Sequence, residues 1–223
     1  MDKVQHSDNH IVQQCMNKST REKGFRQLMS KYQERLYWHI RRMVKTHEDT
    51  DDVLQNTFVK VYRNLDKYRF DAKLYTWLYR IAINESLNHF RKIERNKSVS
   101  LDDENSNIYT IKSDNYFDGN QAQVMLASAI DTLPEKQKIV FNLRYYDEMP
   151  YKDMSEVLST SVGALKASYH LAAKKIENII TTYDELYKSE INLISSIESK
   201  EVQNYIEALK HGFELITEHN LLT

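Results

Sequence analysis

The apolar residues of this chain recur at intervals of three and four residues, the spacing of one face of a helix. One series covers 25–44 and predicts a long amphipathic helix. After a break at 46–49, a second series covers 53–65, and Thr50 is its predicted N-cap because Asp51 and Asp52 would follow in the first turn. A third helix is predicted from about 74 to about 95. The first half of the chain therefore has the pattern of a helical bundle.

Helical periodicity stops after Arg95 and resumes at about residue 121. The intervening stretch is rich in Ser, Asn and Asp, which predicts a linker. Further helices are predicted over 121–133, from Pro134, over 151–158 and from 162 to about 180. The tail, 181–223, has the pattern of one or two more amphipathic helices.

Composition supports an all-α fold and excludes several classes of protein. The 223 residues include only four Gly and two Pro, so few tight turns are available. The single cysteine, Cys15, excludes an intramolecular disulfide and a cysteine zinc cluster. No apolar run is long enough to cross a membrane, and the N-terminus has no secretory pattern, so a cytoplasmic protein is expected. The histidines form no metal-binding pair and no Gly-rich phosphate loop is present, so we predict no catalytic site, metal or cofactor.

Charge is distributed unevenly along the chain. The net charge is −1, but 181–223 contains three Lys and eight Asp or Glu, a net charge of −5. The rest of the chain is therefore basic by four charges, although 94–120 is itself acidic. A basic body with an acidic tail suggests nucleic acid, or an enzyme acting on it, as the partner.

The segment 151–179 predicts a helix-turn-helix: a short helix, a three-residue turn and a longer helix that would enter a major groove. The longer helix is apolar along one face. Its other faces carry small, polar and basic residues, which suit close approach to bases and phosphates: Gly163, Ala164, Lys166, Ala167, Ser168, His170, Lys174 and Lys175. Periodicity alone leaves an ordinary helical hairpin with a solvated lysine face equally open.

A polar stripe follows one face of the predicted helix over 74–95. Arg80, Asn84, Asn88, Arg91 and Arg95 recur every three or four residues. Aromatic and cationic residues lie close by in the sequence, a combination that suits stacking on single-stranded nucleic acid: Tyr68, Arg69, Phe70, Tyr75 and Trp77. The alternative is a solvated stripe beside core aromatics, and a Trp at this position belongs more often to a core.

Three segments together resemble the extracytoplasmic-function group of bacterial sigma factors. They are DTDDVLQNTFVKVYRNL, YTWLYRIAINESLNHFRK and the stretch from LPEKQKIVF to LAAKKI. The resemblance implies a region 2 bundle over 21–95, a flexible acidic linker over 96–120 and a region 4 helix-turn-helix domain over 121–180. It leaves an extension over 1–20 and the acidic helical tail over 181–223 without an assigned role.

The resemblance also implies partners and sites. The partners would be the clamp helices and flap of the RNA polymerase core, promoter DNA and a sequestering anti-sigma factor. The residues implied to dock on polymerase are Asp51, Asp52, Val53, Leu54, Gln55, Phe58 and Val59. Those implied for the minus-ten element are Tyr68, Phe70, Tyr75, Trp77, Arg80, Asn84, Asn88 and Arg91. The minus-thirty-five reader would extend from Ser161 to Lys175.

Two other functions stay open from the sequence. A regulator that binds duplex DNA without polymerase could use the same helix-turn-helix, and a helical adaptor could use the amphipathic faces to bind proteins only.

The predicted recognition helix departs from the family pattern, because no Arg lies between Val162 and Lys175. Because Lys lacks the bidentate fork of Arg, weak or shape-dependent minus-thirty-five recognition is expected. The tail would either fold back and inhibit DNA binding or pack as an additional helix.

Overall fold

The computed structural model describes residues 7–44, 46–70, 72–99, 121–194 and 207. All regular elements in these ranges are helical, which confirms the predicted all-α fold. The elements are α1 (Asp8–Met16), α2 (Arg21–Val44), α3 (His47–Asn64), a 3-10 turn (Leu65–Lys67), α4 (Leu74–Val99), α5 (Gln121–Asp131), α6 (Glu135–Tyr145), α7 (Tyr151–Leu158) and α8 (Val162–Ile194). No helix in the described part of the chain has the length and apolar character needed to cross a bilayer.

The chain forms two compact units. Unit 1 joins 1–103 to 142–165, and unit 2 joins 104–141 to 166–223. Helices α6 and α8 therefore each contribute residues to both units. The domain boundaries given by the sequence stay predictions.

The core of unit 1 lies between α2, α3 and α4, which pack against one another. Most apolar residues of the faces that periodicity predicts on α2 and α3 become buried, whereas Phe25, Met29, Leu54 and Tyr62 stay partly exposed. Each large apolar side chain withdrawn from water contributes about 1.5–3 kcal/mol before entropy is counted. The fully buried members include Leu28, Leu36, Ile40, Val61, Leu65, Leu74 and Leu78.

The predicted N-cap of α3 is wrong. Helix α3 begins at His47, and Thr46 is its N-cap, whose side chain accepts a hydrogen bond from the Asp49 amide. Thr50 lies inside the helix, is fully buried, and donates its hydroxyl to the Thr46 carbonyl. The earlier start places Glu48 and Asp49 in the first turn, where the helix dipole favours acids.

Helix α1 lies in the segment that the sequence left as an extension. It packs on α2 and buries Ile11, Val12 and Cys15. The two helices approach closely because Gly24 has no side chain: a Cβ there would lie 2.7 Å from the Cys15 nitrogen. Three buried apolar positions and the exposed Met16, in a helix of nine residues, form too short a series to predict a helix.

Unit 2 is held by α5, the first part of α6 and the part of α8 after Leu165. The Phe141 and Tyr169 rings stack with centroids 5.6 Å apart. Lys175 donates to the Thr132 carbonyl at 2.6 Å, and the Lys138 ammonium lies 2.7 Å from an Asp131 oxygen.

Two helices are longer than predicted. Helix α4 continues to Val99, four residues into the predicted linker, and α8 runs through residue 180 to Ile194. Neither stretch contains a Gly or Pro to end the helix. The predictions for 100–120, and for the tail from 195 apart from Glu207, lie outside the described residues.

Candidate functional site

An exposed apolar groove of about 580 Å³ runs between α2 and α3. Its lining residues are Phe25, Met29, Gln33, Asp51, Leu54, Gln55, Phe58, Val59, Tyr62 and Arg63. Phe25 meets Phe58 and Tyr62 edge to face, at centroid distances of 6.2 and 5.0 Å. The Val59 side chain is left 40% exposed. An open apolar surface with charged residues at its rim suits a protein partner.

The groove contains five of the seven residues implied to dock on polymerase: Asp51, Leu54, Gln55, Phe58 and Val59. Val53 is only 2% exposed and belongs to the core, whereas Asp52 is exposed but does not line the groove. The α2 residues that line the groove were not predicted from the sequence. Phe25 and Met29 do lie on the predicted apolar face of α2, but such a face usually packs into a core.

The loop before α4 holds an exposed aromatic ring in a strained backbone. Phe70 has φ of 60° and is 44% exposed. Its ring lies 5.0 Å from that of Tyr68, which in turn lies 5.4 Å from Trp77. Tyr68 is buried and donates its hydroxyl to the Ala72 carbonyl. A bulky residue with positive φ is a genuine outlier, and such strain clusters at functional sites.

The polar stripe of α4 is exposed along its length. Within the stripe, Asn88 accepts a hydrogen bond from Arg91 at 3.2 Å, and it donates one to the neighbouring Glu85 at 3.3 Å. Beyond it, a depression of about 510 Å³ is lined by Asn88, Arg91, Lys92 and Arg95. Three cations are among the described residues that line this depression, a combination that suits a phosphate group.

Two of the predicted minus-ten residues contact α7 within unit 1. Arg80 donates to the Glu156 backbone carbonyl at 2.6 Å. Tyr75 donates its hydroxyl to the Asp153 carboxylate, and the Lys73 ammonium lies 2.8 Å from the same carboxylate. The first helix of the predicted helix-turn-helix therefore lies on the helix predicted to read the minus-ten element.

The turn of the helix-turn-helix has the predicted boundaries. Helix α7 ends at Leu158, Ser159 turns the chain with φ of 51°, and α8 begins at Val162. Ser161 caps α8 by accepting from the Ala164 amide at 3.3 Å. Most of the predicted reader is exposed, while Ser168 is half-buried. The exposed members are Ser161, Gly163, Ala164, Lys166, Ala167, His170, Lys174 and Lys175.

The part of the chain that the structure describes contains no candidate metal-binding site. No cluster of three or more His, Cys, Asp or Glu there could hold an ion. Burial raises the pKa of the Cys15 thiol to about 11, against the weaker opposing effect of Arg21. This thiol is therefore a poor nucleophile at neutral pH.

Two regions of the chain match profiles of known protein families. Sigma-70 region 2 matches residues 28–96, and Sigma-70 region 4 matches residues 123–176. The profile of the Fic/DOC family N-terminal region matches 171–214, which overlaps the region 4 match. The α2–α4 bundle and the helix-turn-helix thus fall in separate sigma-70 matches.

Two curated relatives cover most of the chain. An ECF RNA polymerase sigma-E factor of Haemophilus influenzae is 30% identical over 168 residues, which are 71% of this chain and 88% of that protein. An RNA polymerase sigma-H factor of Pseudomonas aeruginosa is 29% identical over 193 residues, covering 79% of this chain and 95% of that protein.

Two solved structures share the fold. CnrH, in complex with the cytosolic domain of CnrY, has a TM-score of 0.59 and 24% identity, covering 78% of this chain and 97% of that one. The sigma factor RpoE of Bartonella quintana, in complex with the anti-sigma factor NepR, has a TM-score of 0.59 and 20% identity, with coverage of 71% and 98%.

Proposed function

We propose that this chain, which belongs to the extracytoplasmic-function family of RNA polymerase sigma factors, docks on the polymerase through the α2–α3 groove and reads promoters through α4 and α8. As a sigma factor, it directs RNA polymerase in transcription initiation. The observation that carries the proposal is that the chain has both an exposed apolar groove between α2 and α3 and an exposed polar stripe on α4. Bond chemistry is left to the polymerase core, and the place of action is the cytoplasm.

The docking surface is the groove rather than the whole start of α3. Leu54 and Val59 supply apolar area, and Asp51 and Arg63 supply charges at the rim. Burying such area stabilises a complex by about 25 cal/mol per Å² before the cost of association. Val53 acts only by supporting α3 from the core.

The minus-ten element is captured by the Phe70 loop and α4. Phe70 offers its exposed ring to an unstacked base, while Tyr68 contacts that ring and is itself in contact with Trp77. Stacking of a base on an aromatic ring contributes about 1–3 kcal/mol, which is the scale of the cost of unstacking. The next contacts to the displaced strand come from Asn84, Asn88 and Arg91, which are exposed on α4. Arg80 and Tyr75 are bonded to α7 residues in this structure.

The minus-thirty-five element is read by the start of α8. The small residues Gly163 and Ala164 let the backbone of α8 approach the major groove of DNA. The space beside Gly163 is open, because a Cβ there would meet nothing within 4 Å. Lys166, Lys174 and Lys175 supply positive charge, and shape contributes more than bidentate base contacts.

An anti-sigma factor is the proposed negative regulator. The RpoE and CnrH structures named above are complexes, the first with an anti-sigma factor and the second with the cytosolic domain of CnrY. The α2–α3 groove is the surface on which an inhibitor would compete with polymerase.

Single-round transcription with core polymerase on a pool of genomic promoters tests the proposal. We expect specific transcripts that weaken at least tenfold in Leu54→Ala/Val59→Ala, because apolar contact area is lost. Asn56→Ala is the matched control, since Asn56 is exposed on α3 outside the groove. Full transcription by the double variant would refute the docking surface. Absence of transcripts together with tight operator binding by the chain alone would favour the duplex-binding regulator.

A further inference from the structure

Leu171 is the most exposed large aliphatic side chain among those that the structure describes. It is 55% exposed and lies on α8, about two and a half turns after the helix begins. A single exposed leucine is common on protein surfaces. Whether this one has a role therefore depends on the face of α8 to which it belongs.

The packing of α8 in unit 2 turns Leu171 towards solvent. Ala172 and Ile176 are 0% and 1% exposed, and the Tyr169 ring stacks on Phe141. At about 100° per residue, Leu171 points away from these buried contacts. Ala167 and Lys174, four residues before it and three after it, share its face and are also exposed.

The charges around this face favour a polyanion as its partner. Between Ser161 and Ile176 the sequence contains three Lys and no Asp or Glu. Lys175 turns back to donate to the Thr132 carbonyl at 2.6 Å, whereas Lys174 lies on the same face as Leu171. Positive charge beside an apolar residue is complementary to a DNA groove, in which the bases lie between two rows of phosphates.

The chemistry of Leu171 restricts which base it can recognise. Its side chain has no hydrogen-bonding atom, so the donor and acceptor pattern of a base pair is invisible to it. The major groove offers one apolar feature, the C5 methyl group of thymine, which distinguishes thymine from the other bases. The small Ala167 next to Leu171 leaves room for that methyl group to approach.

We propose that Leu171 selects thymine in the minus-thirty-five element by packing on its C5 methyl group. The inference rests on the proposed role of α8 as the reader of duplex DNA. Leu171 supplies sequence preference without attraction to phosphate, whereas the lysines supply attraction to every sequence. It is therefore a specificity-determining residue.

Replacement of thymine by deoxyuridine tests the contact, because it removes the methyl group and keeps every hydrogen-bonding atom of the base. The full-length chain, alone and with core polymerase, first selects sequences from a pool of random-sequence DNA duplexes. Each thymine of a selected duplex is then replaced singly, and fluorescence anisotropy measures the affinity. We expect an approximately fourfold loss at a thymine read by α8, which corresponds to about 0.8 kcal/mol for one buried methyl group.

Two substitutions of Leu171 test its part in that loss. Leu171→Ala should bind the thymine and deoxyuridine duplexes equally at this position. Its salt dependence should match that of the wild type, because no phosphate contact is removed. Leu171→Arg should favour guanine at the same base pair, since a guanidinium can donate to both O6 and N7.

Val124→Ala is the matched control, because it removes exposed apolar surface from α5 of the same unit. It should retain the fourfold loss on the deoxyuridine duplex. Circular dichroism melting verifies that each variant folds.

Several outcomes would overturn the role of Leu171. They are a failure to enrich any duplex, equal binding of thymine and deoxyuridine by the wild type, a fourfold loss that persists in Leu171→Ala, or a shallower salt dependence of Leu171→Ala. Transcripts from promoters without a methyl effect would refute this contact and leave the proposed function standing. A methyl effect that requires Leu171, in a chain that supports no transcripts, would do the reverse.

Discussion

At the scale of single residues, Phe70 combines backbone strain with exposure. Its positive φ costs about 1–3 kcal/mol in a bulky residue, and Gly adopts the same backbone freely. We therefore expect Phe70→Gly to change the free energy of unfolding by less than about 1 kcal/mol, because relief of strain offsets the lost contact with Tyr68. Promoter melting, measured by permanganate reactivity of unpaired thymines, should fall about tenfold, since stacking on the ring is lost.

The control for this prediction is Phe70→Tyr, which keeps an aromatic ring in the same loop. It should melt promoters as the wild type does. Normal melting by Phe70→Gly would exclude Phe70 as the stacking surface. Strong destabilisation of Phe70→Gly would show instead that the ring is a structural support.

The positions of individual residues could not be predicted from the sequence where they depend on tertiary contacts. Thr46 and Thr50 both precede acidic residues and both fit an N-cap; the choice depends on where α2 ends, which local sequence does not specify. Val53 and Leu54 are adjacent in one motif, yet only Leu54 reaches the groove. Which face of α3 is covered follows from its packing on α2 and α4.

At the scale of helices, the crossing of α1 over α2 depends on Gly24. A Cβ at this position would lie 2.7 Å from the Cys15 nitrogen and 2.8 Å from the Gln14 Cβ, so α1 must shift. We expect Gly24→Ala to lower the free energy of unfolding by about 1–3 kcal/mol, as overpacking does, despite the better helix propensity of Ala. Urea denaturation measures the change.

Gly163→Ala is the matched control, because a Cβ there meets nothing within 4 Å. It should leave stability unchanged or raise it by up to about 1 kcal/mol through helix propensity. Equal stability of the two variants would mean that α1 does not dock on α2 at Gly24.

The long helices could be predicted because they bury regular apolar faces, whereas α1 and the ends of α4 and α8 could not. Helix α1 is recognisable only through its partner: Tyr32 on α2 donates to Asp8 at 2.7 Å, and Lys31 reaches the same carboxylate. Burial first, and then the hydrogen bond to Asp8, raise the pKa of Tyr32. Such long-range contacts leave no periodic trace in the sequence.

At the scale of the whole molecule, the uneven charge predicts how promoter binding responds to salt. Each phosphate of a single strand that a cation neutralises contributes about 0.7 to the slope of log affinity against log salt concentration. Arg91 is exposed beside the basic depression at the end of α4, where a phosphate would fit. Its contact should therefore act on every promoter alike, whereas Asn84 should affect base preference.

We expect Arg91→Ala holoenzyme to bind promoters more weakly, with a salt slope less steep by about 0.7 and an unchanged order of promoter preference. Fluorescence anisotropy across a salt series measures both quantities. Arg26→Ala is the control, since it removes the same charge from an exposed position on α2, where Arg26 pairs only weakly with Glu22. An equal change of slope in both variants would mean that net charge, rather than the α4 stripe, governs binding; a changed promoter order in Arg91→Ala would assign it to base readout.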